Sequence, residues 1–204
     1  MKIKTLQIFT DYVCPWCYLG QARLKKVISK YKVKLDIVHF PLHPDTPKGG
    51  KNLLDLFRCS QEELNQKNSM MSNLMNEENL EYNDREYTFN SRLAQELGYW
   101  AQSKYRNDMI HDELYKSYFI NKKNVYEIDV LLNVALRAKL PQDEAKEILE
   151  KRTYKDVIDK HWEYSYKIGV TGVPTYILGT NYLVGAQQKN NFHELFEKEN
   201  IEKL

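Results

Sequence analysis

Residues 11–20 read DYVCPWCYLG and hold two of the chain's three cysteines, Cys14 and Cys17. The preceding segment, 3–9, alternates apolar and polar side chains and is rich in β-formers, which predicts a strand. From Leu19 to about Lys30 apolar residues recur at helical spacing, and residues 33–40 again favour a strand. The beginning of the chain therefore predicts a strand–helix–strand unit, with the cysteine pair where the first strand gives way to the helix.

The composition limits the class of protein. The chain has 204 residues, 42% of them apolar and 28% charged, which suits one domain, or one small domain with an insertion. The net charge of +2 comes from 30 basic and 28 acidic residues, mixed along the sequence without the basic patch of a nucleic-acid or anionic-membrane binder. No run of 18 apolar residues is present, and the beginning of the sequence lacks the apolar core of a signal peptide. We therefore expect a cytoplasmic protein.

The sequence pattern changes twice after the first two strands. Residues 41–50 hold three prolines and two glycines and predict a linker, after which helical periodicity prevails from about 52 to 168. Ser60 and Glu63 fit a capping box within this block. Segments 173–179 and 182–186 predict a β-hairpin that precedes a short final helix. The predicted domains are a discontinuous one, residues 1–47 with 153–204, and a helical insertion, residues 48–152.

The spacing of Cys14 and Cys17 predicts thiol–disulfide chemistry. Three cysteines are too few for the disulfide framework of a small secreted domain, and a CxxC pair in a reducing compartment is typical of catalysis or metal binding. At a helix start, unpaired amides and the helix dipole favour a thiolate on Cys14, the attacking species in disulfide exchange. Cys17, one turn later, is within reach to resolve the mixed disulfide that forms.

Two other interpretations of the pair stay open at this point. One is that the two cysteines are unrelated core residues. The other is a metal site with His39 and His43, although a tetrahedral site needs four ligands, and His39 falls in a predicted strand while His43 lies between prolines. The third cysteine, Cys59, is interpreted as a partly buried small residue.

Several segments together resemble the DsbA-like branch of the thioredoxin superfamily, and within it the FrnE-type cytoplasmic oxidoreductases. They are DYVCPWCYLG at 11–20, the helical insertion, TGVPTY at 171–176 and VGAQ at 184–187. The resemblance covers nearly the whole chain. It implies an α/β, thioredoxin-like fold of the order βαβ…ββα, with an all-helical insertion domain.

The resemblance also implies roles for individual residues. Cys14 matches the nucleophile and Cys17 the resolving thiol, while Pro15 and Trp16 match the dipeptide that sets the reduction potential. The Val173–Pro174 dipeptide matches the cis-proline that faces the disulfide and the backbone that pairs with an extended substrate.

The chain departs from the family pattern at two positions. Thioredoxin-like proteins often place a buried acid six residues before the first cysteine, and this chain has Ile8 there. The nearest acid is Asp11, for which proton transfer and a capping or solvated role are both open. Periplasmic oxidants of this class carry histidine where this chain has Trp16, so we expect a reduction potential between those of thioredoxin, about −270 mV, and DsbA, about −120 mV.

The function predicted from the sequence is that of a cytoplasmic thiol–disulfide oxidoreductase. Its expected partners are protein or small-molecule thiols and disulfides, without nucleic acid or membrane, and it needs no cofactor beyond its own redox-active disulfide, with glutathione or another thiol as reductant. One alternative is a glutathione-dependent isomerase or transferase of the 2-hydroxychromene-2-carboxylate isomerase or kappa type, which does not need a CxxC pair. A second alternative is a non-catalytic adaptor that binds peptides in the helical groove.

Overall fold

The computed structural model describes residues 3–204, which form six strands and nine helices. In chain order these elements are β1 Thr5–Thr10, α1 Pro15–Ile28, β2 Lys34–His39, β3 Lys51–Asn52, α2 Leu53–Phe57, α3 Gln61–Glu77, β4 Tyr87–Thr88, α4 Arg92–Tyr105, α5 Met109–Phe119, α6 Ile128–Arg137, α7 Gln142–Glu150, α8 Lys155–Lys167, β5 Thr175–Leu178, β6 Asn181–Val184 and α9 Lys189–Lys198. The chain forms two compact units. The first contains the chain up to Leu42 together with His161–Leu204, and the second is His43–Lys160.

The first unit is built on a four-stranded mixed sheet with the order β2-β1-β5-β6. Strands β1 and β2 are parallel, as the strand–helix–strand prediction requires, with α1 as the crossover between them. Strand β5 runs antiparallel to both β1 and β6, and β5 and β6 form the predicted hairpin. Gly179 in its turn has a φ of +61°, a left-handed conformation that favours glycine. The predicted thioredoxin-like order βαβ…ββα is confirmed.

Alternating side chains of this sheet belong to two apolar clusters, one on each face. On one face, Leu6 of β1 and Tyr176 of β5 pack with residues of α1 and α9, among them Leu24, Val27, Phe192 and Phe196. On the other face, Phe9 packs with Val38, Phe40 and Val170. Because both faces are covered, the sheet is a rigid support for the loops at its edge.

The second unit is mostly helical, and its capping box is confirmed. The Ser60 hydroxyl accepts a hydrogen bond from the Glu63 amide at 3.2 Å, and the Glu63 carboxylate accepts one from the Ser60 amide at 2.8 Å. The prediction of an all-helical insertion was wrong at one place, since β3 and β4 pair as a two-stranded antiparallel sheet. Strands of two residues are too short to leave the periodic pattern from which a strand is predicted.

A buried ion cluster joins the helices of the second unit. Glu96 on α4 is fully buried and accepts hydrogen bonds from Arg92 at 2.9 Å and from Arg152 at 2.6 Å. Arg92 in turn pairs with Asp159 of α8 at 2.6 Å. The two guanidinium groups therefore neutralise a carboxylate that burial alone would destabilise.

Candidate active site

The cysteine pair lies at the amino end of α1, where the sequence placed it. Cys14 is the N-cap residue, with extended backbone angles, and Pro15 occupies the first turn, where its missing N–H costs no helical hydrogen bond. The Cys14 carbonyl accepts hydrogen bonds from the amides of Cys17 at 3.1 Å and Tyr18 at 3.2 Å, which closes the first turn. Both cysteines are buried free thiols. This arrangement places two sulfur atoms one helical turn apart at the positive end of a helix.

The Val173–Pro174 segment meets this pair in space. The Cys14 thiol donates a hydrogen bond to the Val173 carbonyl oxygen at 3.5 Å, and the Val173–Pro174 peptide bond is cis. Gly185, directly after β6, holds the Pro174 carbonyl in place, because the Gly185 amide donates a hydrogen bond to that oxygen at 2.7 Å. Two segments that lie far apart in the sequence therefore form one site.

Cys17 is buried, and its thiol titrates differently from that of a free cysteine. Burial raises the pKa of the Cys17 thiol well above its ordinary value, and the hydrogen bond to Cys14 and the charge of Cys14 raise it further. Hydrogen bonds from the Thr10 side chain and from the Asp11 backbone oppose this rise in pKa. Cys17 is therefore held as a thiol until Cys14 has reacted, which suits a second, resolving step.

Asp11 is buried beside the pair and binds backbone amides. Its carboxylate oxygens accept hydrogen bonds from Val13 at 3.4 Å and from Leu42 at 3.0 Å. These contacts fix the loop that carries Cys14 to the segment that follows β2. The observed geometry is that of a buried cap, and proton transfer by Asp11 stays a prediction.

The residues between the cysteines form the accessible part of the site. Trp16 is 38% exposed and Pro15 is partly exposed, whereas the two cysteines on either side are buried. An approaching thiol or disulfide therefore meets the Pro15–Trp16 surface first. Cys59 lies in the second unit, between α2 and α3, and is partly buried.

Tyr12, His39 and His161 form a connected row of rings next to the loop that carries the cysteines. The Tyr12 hydroxyl is hydrogen-bonded to His39 Nε2 at 3.2 Å, and the His39 backbone amide donates to His161 Nδ1 at 3.2 Å. The two imidazole rings stack at a centroid distance of 5.6 Å. Burial raises the pKa of Tyr12 and lowers the pKa of His161. His39 thus belongs to a packed hydrogen-bonded network, and within residues 3–204 no three His, Cys, Asp or Glu side chains are grouped to hold a metal ion.

Comparison with known proteins agrees with this geometry. The model of the DsbA-like thioredoxin domain matches residues 5–197, which is nearly the whole chain. The chain belongs to the DsbA-like thioredoxin family. A curated relative of this DsbA-like protein is the uncharacterized protein YwbO of Bacillus subtilis (strain 168), 26% identical over 97% of this chain and 98% of the relative.

Two of the solved structures that share this fold illustrate the similarity. A probable DsbA oxidoreductase from Streptomyces coelicolor superimposes with a TM-score of 0.89 at 23% identity, over 96% of this chain and 89% of that chain. The cytosolic disulfide reductase DsbM from Pseudomonas aeruginosa, solved with GSH, superimposes with a TM-score of 0.65 at 14% identity, over 96% and 98%. At these identities the likeness shows the shared fold. None of the helices within residues 3–204 combines the length and apolar character needed to cross a membrane.

Three residues near the cysteine pair of this DsbA-like protein were not identified from the sequence. They are Thr10, which hydrogen-bonds to Cys17, Arg23 of α1 and Tyr176 of β5, whose pKa responds to the charges of both cysteines. Thr10 directly precedes the motif, and its position at the end of a strand is the one signal that points to it. Arg23 and Tyr176 lie on apolar stripes of their elements, so the sequence gives no sign that the charge of Arg23 acts on the Tyr176 hydroxyl.

Proposed function

We propose that the protein is a cytoplasmic thiol–disulfide oxidoreductase in which Cys14 is the nucleophile and Cys17 the resolving thiol. The observation that carries this proposal is the position of two free thiols at the start of α1, with the Cys14 sulfur facing the Val173 carbonyl. Membership of the DsbA-like family supports it. The cytosolic location of DsbM supports the cytoplasmic assignment.

The first step is attack by Cys14 on a substrate disulfide. The amino end of α1 places partial positive charge at the N-cap, where it favours a thiolate sulfur. The Cys14 sulfur forms a bond to one substrate sulfur, the substrate disulfide breaks, and the second substrate sulfur leaves with the electron pair and is protonated by solvent. The product is a mixed disulfide between Cys14 and the substrate.

The second step is attack by Cys17 on the Cys14 sulfur. The Cys17 thiol, whose pKa burial raises, first gives its proton to solvent, and the resulting thiolate attacks. The Cys14–Cys17 disulfide forms, and the remaining substrate sulfur leaves with the electron pair and takes a proton. The substrate gains two electrons from the two thiols, and the two protons that the thiols release to solvent balance the two that the substrate takes up. Run in reverse, the same steps oxidise a dithiol.

Substrate binding and recycling follow from the same surface. We assign the backbone around Val173 to pairing with an extended substrate peptide, and the exposed Trp16 to contact with its side chains. A small thiol such as glutathione reduces the Cys14–Cys17 disulfide in this proposal, for which DsbM solved with GSH is the supporting example. A glutathione-dependent isomerase does not need the second thiol, so the intact pair favours the redox reaction.

The test is insulin reduction by the purified protein with glutathione or dithiothreitol as reductant. We expect Cys14→Ser to abolish catalysed reduction and Cys17→Ser to accumulate a mixed disulfide with insulin, which mass spectrometry detects. Cys59→Ser is the matched control, since Cys59 lies outside the first unit, and it should retain wild-type activity. Wild-type activity in Cys14→Ser overturns the mechanism. Isomerase turnover that survives loss of both Cys14 and Cys17 supports the isomerase instead.

A further inference from the structure

Tyr176 carries a buried hydroxyl that takes no part in the packing contacts of its ring. The side chain is 1% exposed, and its oxygen has no hydrogen-bond partner among residues 3–204. The ring packs edge-on against Phe192 at a centroid distance of 4.9 Å, a contact that phenylalanine would make equally well. Burying an unpaired hydroxyl costs stability, so its presence calls for another explanation.

The hydroxyl lies beside α1 at Gly20, three residues after Cys17. Pro174 directly precedes β5 and Tyr176 is the second residue of that strand, so by strand alternation both side chains point to the same face of the sheet. A methyl group added at Gly20 of α1 would lie 2.3 Å from the Tyr176 oxygen and 3.1 Å from Pro174 Cγ. Gly20 follows Cys17 by three residues, and side chains at this spacing are neighbours on a helix. The hydroxyl thus fills the space beside Gly20, between the helix face of Cys17 and the ring of Pro174.

The charges around the hydroxyl fit a hydrogen-bond donor. Burial raises the pKa of Tyr176 well above its ordinary value, and the charges of Cys17 and Cys14 raise it further, while Arg23 acts in the opposite sense. The group therefore stays a phenol at neutral pH, with an O–H dipole that is free to rotate. Arg23 is itself buried and donates to the Ala186 carbonyl at 2.9 Å, so its positive charge is fixed near the phenol.

We propose that Tyr176 is a positioning residue for the resolving step, in which its O–H dipole turns towards the Cys17 sulfur as that sulfur loses its proton. The dipole offsets part of the penalty that burial places on the Cys17 thiolate. The thiolate then attacks Cys14 as described above, and Tyr176 keeps its own proton throughout. This inference rests on the proposed oxidoreductase function, and it concerns the second step alone.

The test separates the two sulfur steps with an aromatic disulfide reporter, 5,5′-dithiobis(2-nitrobenzoate). The experiment uses the Cys59→Ser background, because the partly exposed Cys59 thiol would also react with the reporter. The reduced protein then releases one coloured thiolate when Cys14 attacks and a second when Cys17 resolves the mixed disulfide. The first phase depends on reporter concentration and the second does not. We expect Tyr176→Phe to leave the first rate within about twofold and to slow the second by about 3–10-fold, the range that one hydrogen bond is worth. The pH midpoint of the second phase should move upward by about 0.5–1 unit.

Tyr182→Phe is the matched control, because Tyr182 lies on the neighbouring strand β6 and is 68% exposed. Site-specific replacement of Tyr176 by 3-fluorotyrosine, a stronger donor, should accelerate the second phase and keeps the test valid if Tyr176→Phe fails to fold. An unchanged second phase, equal slowing of both phases, or a lower melting temperature of Tyr176→Phe with an unshifted pH midpoint overturns the inference. Absence of the first phase in the wild-type protein contradicts the oxidoreductase function instead.

Discussion

The Cys14 sulfur lies 3.5 Å from the carbonyl oxygen of Val173, although 159 positions separate the two residues along the chain. The register of the sheet produces this contact. Strands β1 and β5 are antiparallel neighbours, and Phe9 near the end of β1 pairs with Thr175 at the start of β5. The loop after β1 and the loop before β5 therefore meet at one edge of the sheet, with the thiol on one and the carbonyl on the other.

Asp11 is expected to stabilise the loop that carries Cys14. Asp11→Ala leaves the amides of Val13 and Leu42 without this acceptor, which should lower the free energy of unfolding by about 1–3 kcal/mol in a urea titration. Asp84→Ala, at an exposed position, is the control and should change it by less than about 0.5 kcal/mol. A stability loss in Asp11→Ala no larger than that of the control contradicts the capping role. Asp11→Asn tests the predicted proton transfer, which would show as a shifted pH midpoint of the Cys17 step.

Gly20 admits the Tyr176 hydroxyl, so a side chain there should be costly. In Gly20→Ala the added methyl group meets that oxygen at 2.3 Å, and overpacking of this kind costs about 1–3 kcal/mol of unfolding free energy. The double variant Gly20→Ala/Tyr176→Phe should recover part of the loss, because the clashing atom is gone. Gly49→Ala serves as control, since a methyl group there meets no atom within 4 Å. Strict additivity in the double-mutant cycle would show that the two positions do not interact.

The uncharged side chain of Trp16 should keep the reduction potential lower than a cationic side chain at the same position would. Trp16→His introduces a side chain that becomes cationic on protonation at the exposed rim, where it stabilises the thiolate and with it the reduced protein. We expect the potential to become more oxidising by on the order of 30 mV, equivalent to ~1.4 kcal/mol, in equilibrium with glutathione. Trp16→Phe keeps an uncharged ring and should leave the potential unchanged. A reduction potential of Trp16→His that moves towards the more reducing value of thioredoxin would contradict this prediction.

His161 should make the stability of the protein depend on pH in the acidic range. Burial lowers the pKa of His161 in the folded chain, so the unfolded chain binds a proton first as the pH falls. The contribution of His161 is present above its unfolded pKa of about 6.5 and is lost as the pH falls through the lower folded value. His161→Asn retains an acceptor for the His39 amide but does not titrate, so its unfolding free energy should fall less steeply below pH 6.5. Parallel pH profiles of wild type and variant would exclude this role.

Glu96 should be the most sensitive charged residue of the second unit. Glu96→Ala removes the buried acceptor of Arg92 and Arg152. Arg92 keeps its pair with Asp159 and Arg152 is partly exposed, so we expect a loss of about 1–3 kcal/mol, the cost of leaving buried donors unsatisfied. Glu147→Ala is the matched control, because the pair of Glu147 with Lys151 at 2.7 Å is solvent-exposed and contributes little to stability. Chemical denaturation of both variants measures the difference, and equal losses would refute the distinction between buried and exposed pairs.

Side-chain periodicity and cysteine spacing were enough to predict the local elements and the reactive pair. Strand and helix periods predicted β1, α1, β2 and the hairpin, because the side chains that face the core recur at fixed intervals along each element. The CxxC spacing at a strand-to-helix junction pointed to Cys14 and Cys17, since both the helix amides and the second thiol are close in the chain. The two-residue strands β3 and β4 escaped prediction, because their pairing depends on a partner more than thirty residues away.

The surroundings of the two sulfur atoms could not be predicted from the sequence and follow from the packing of the elements. Periodicity shows which face of an element is buried, but the neighbour across that face is fixed by strand register and packing. The contact of Cys14 with Val173, the hydrogen bond of Thr10 to Cys17 and the Tyr176 hydroxyl beside Gly20 all depend on that register. Tyr176 illustrates the reason most directly. In the sequence it is one aromatic residue of a strand, and only the approach of α1 to β5 brings its polar end to the reactive pair.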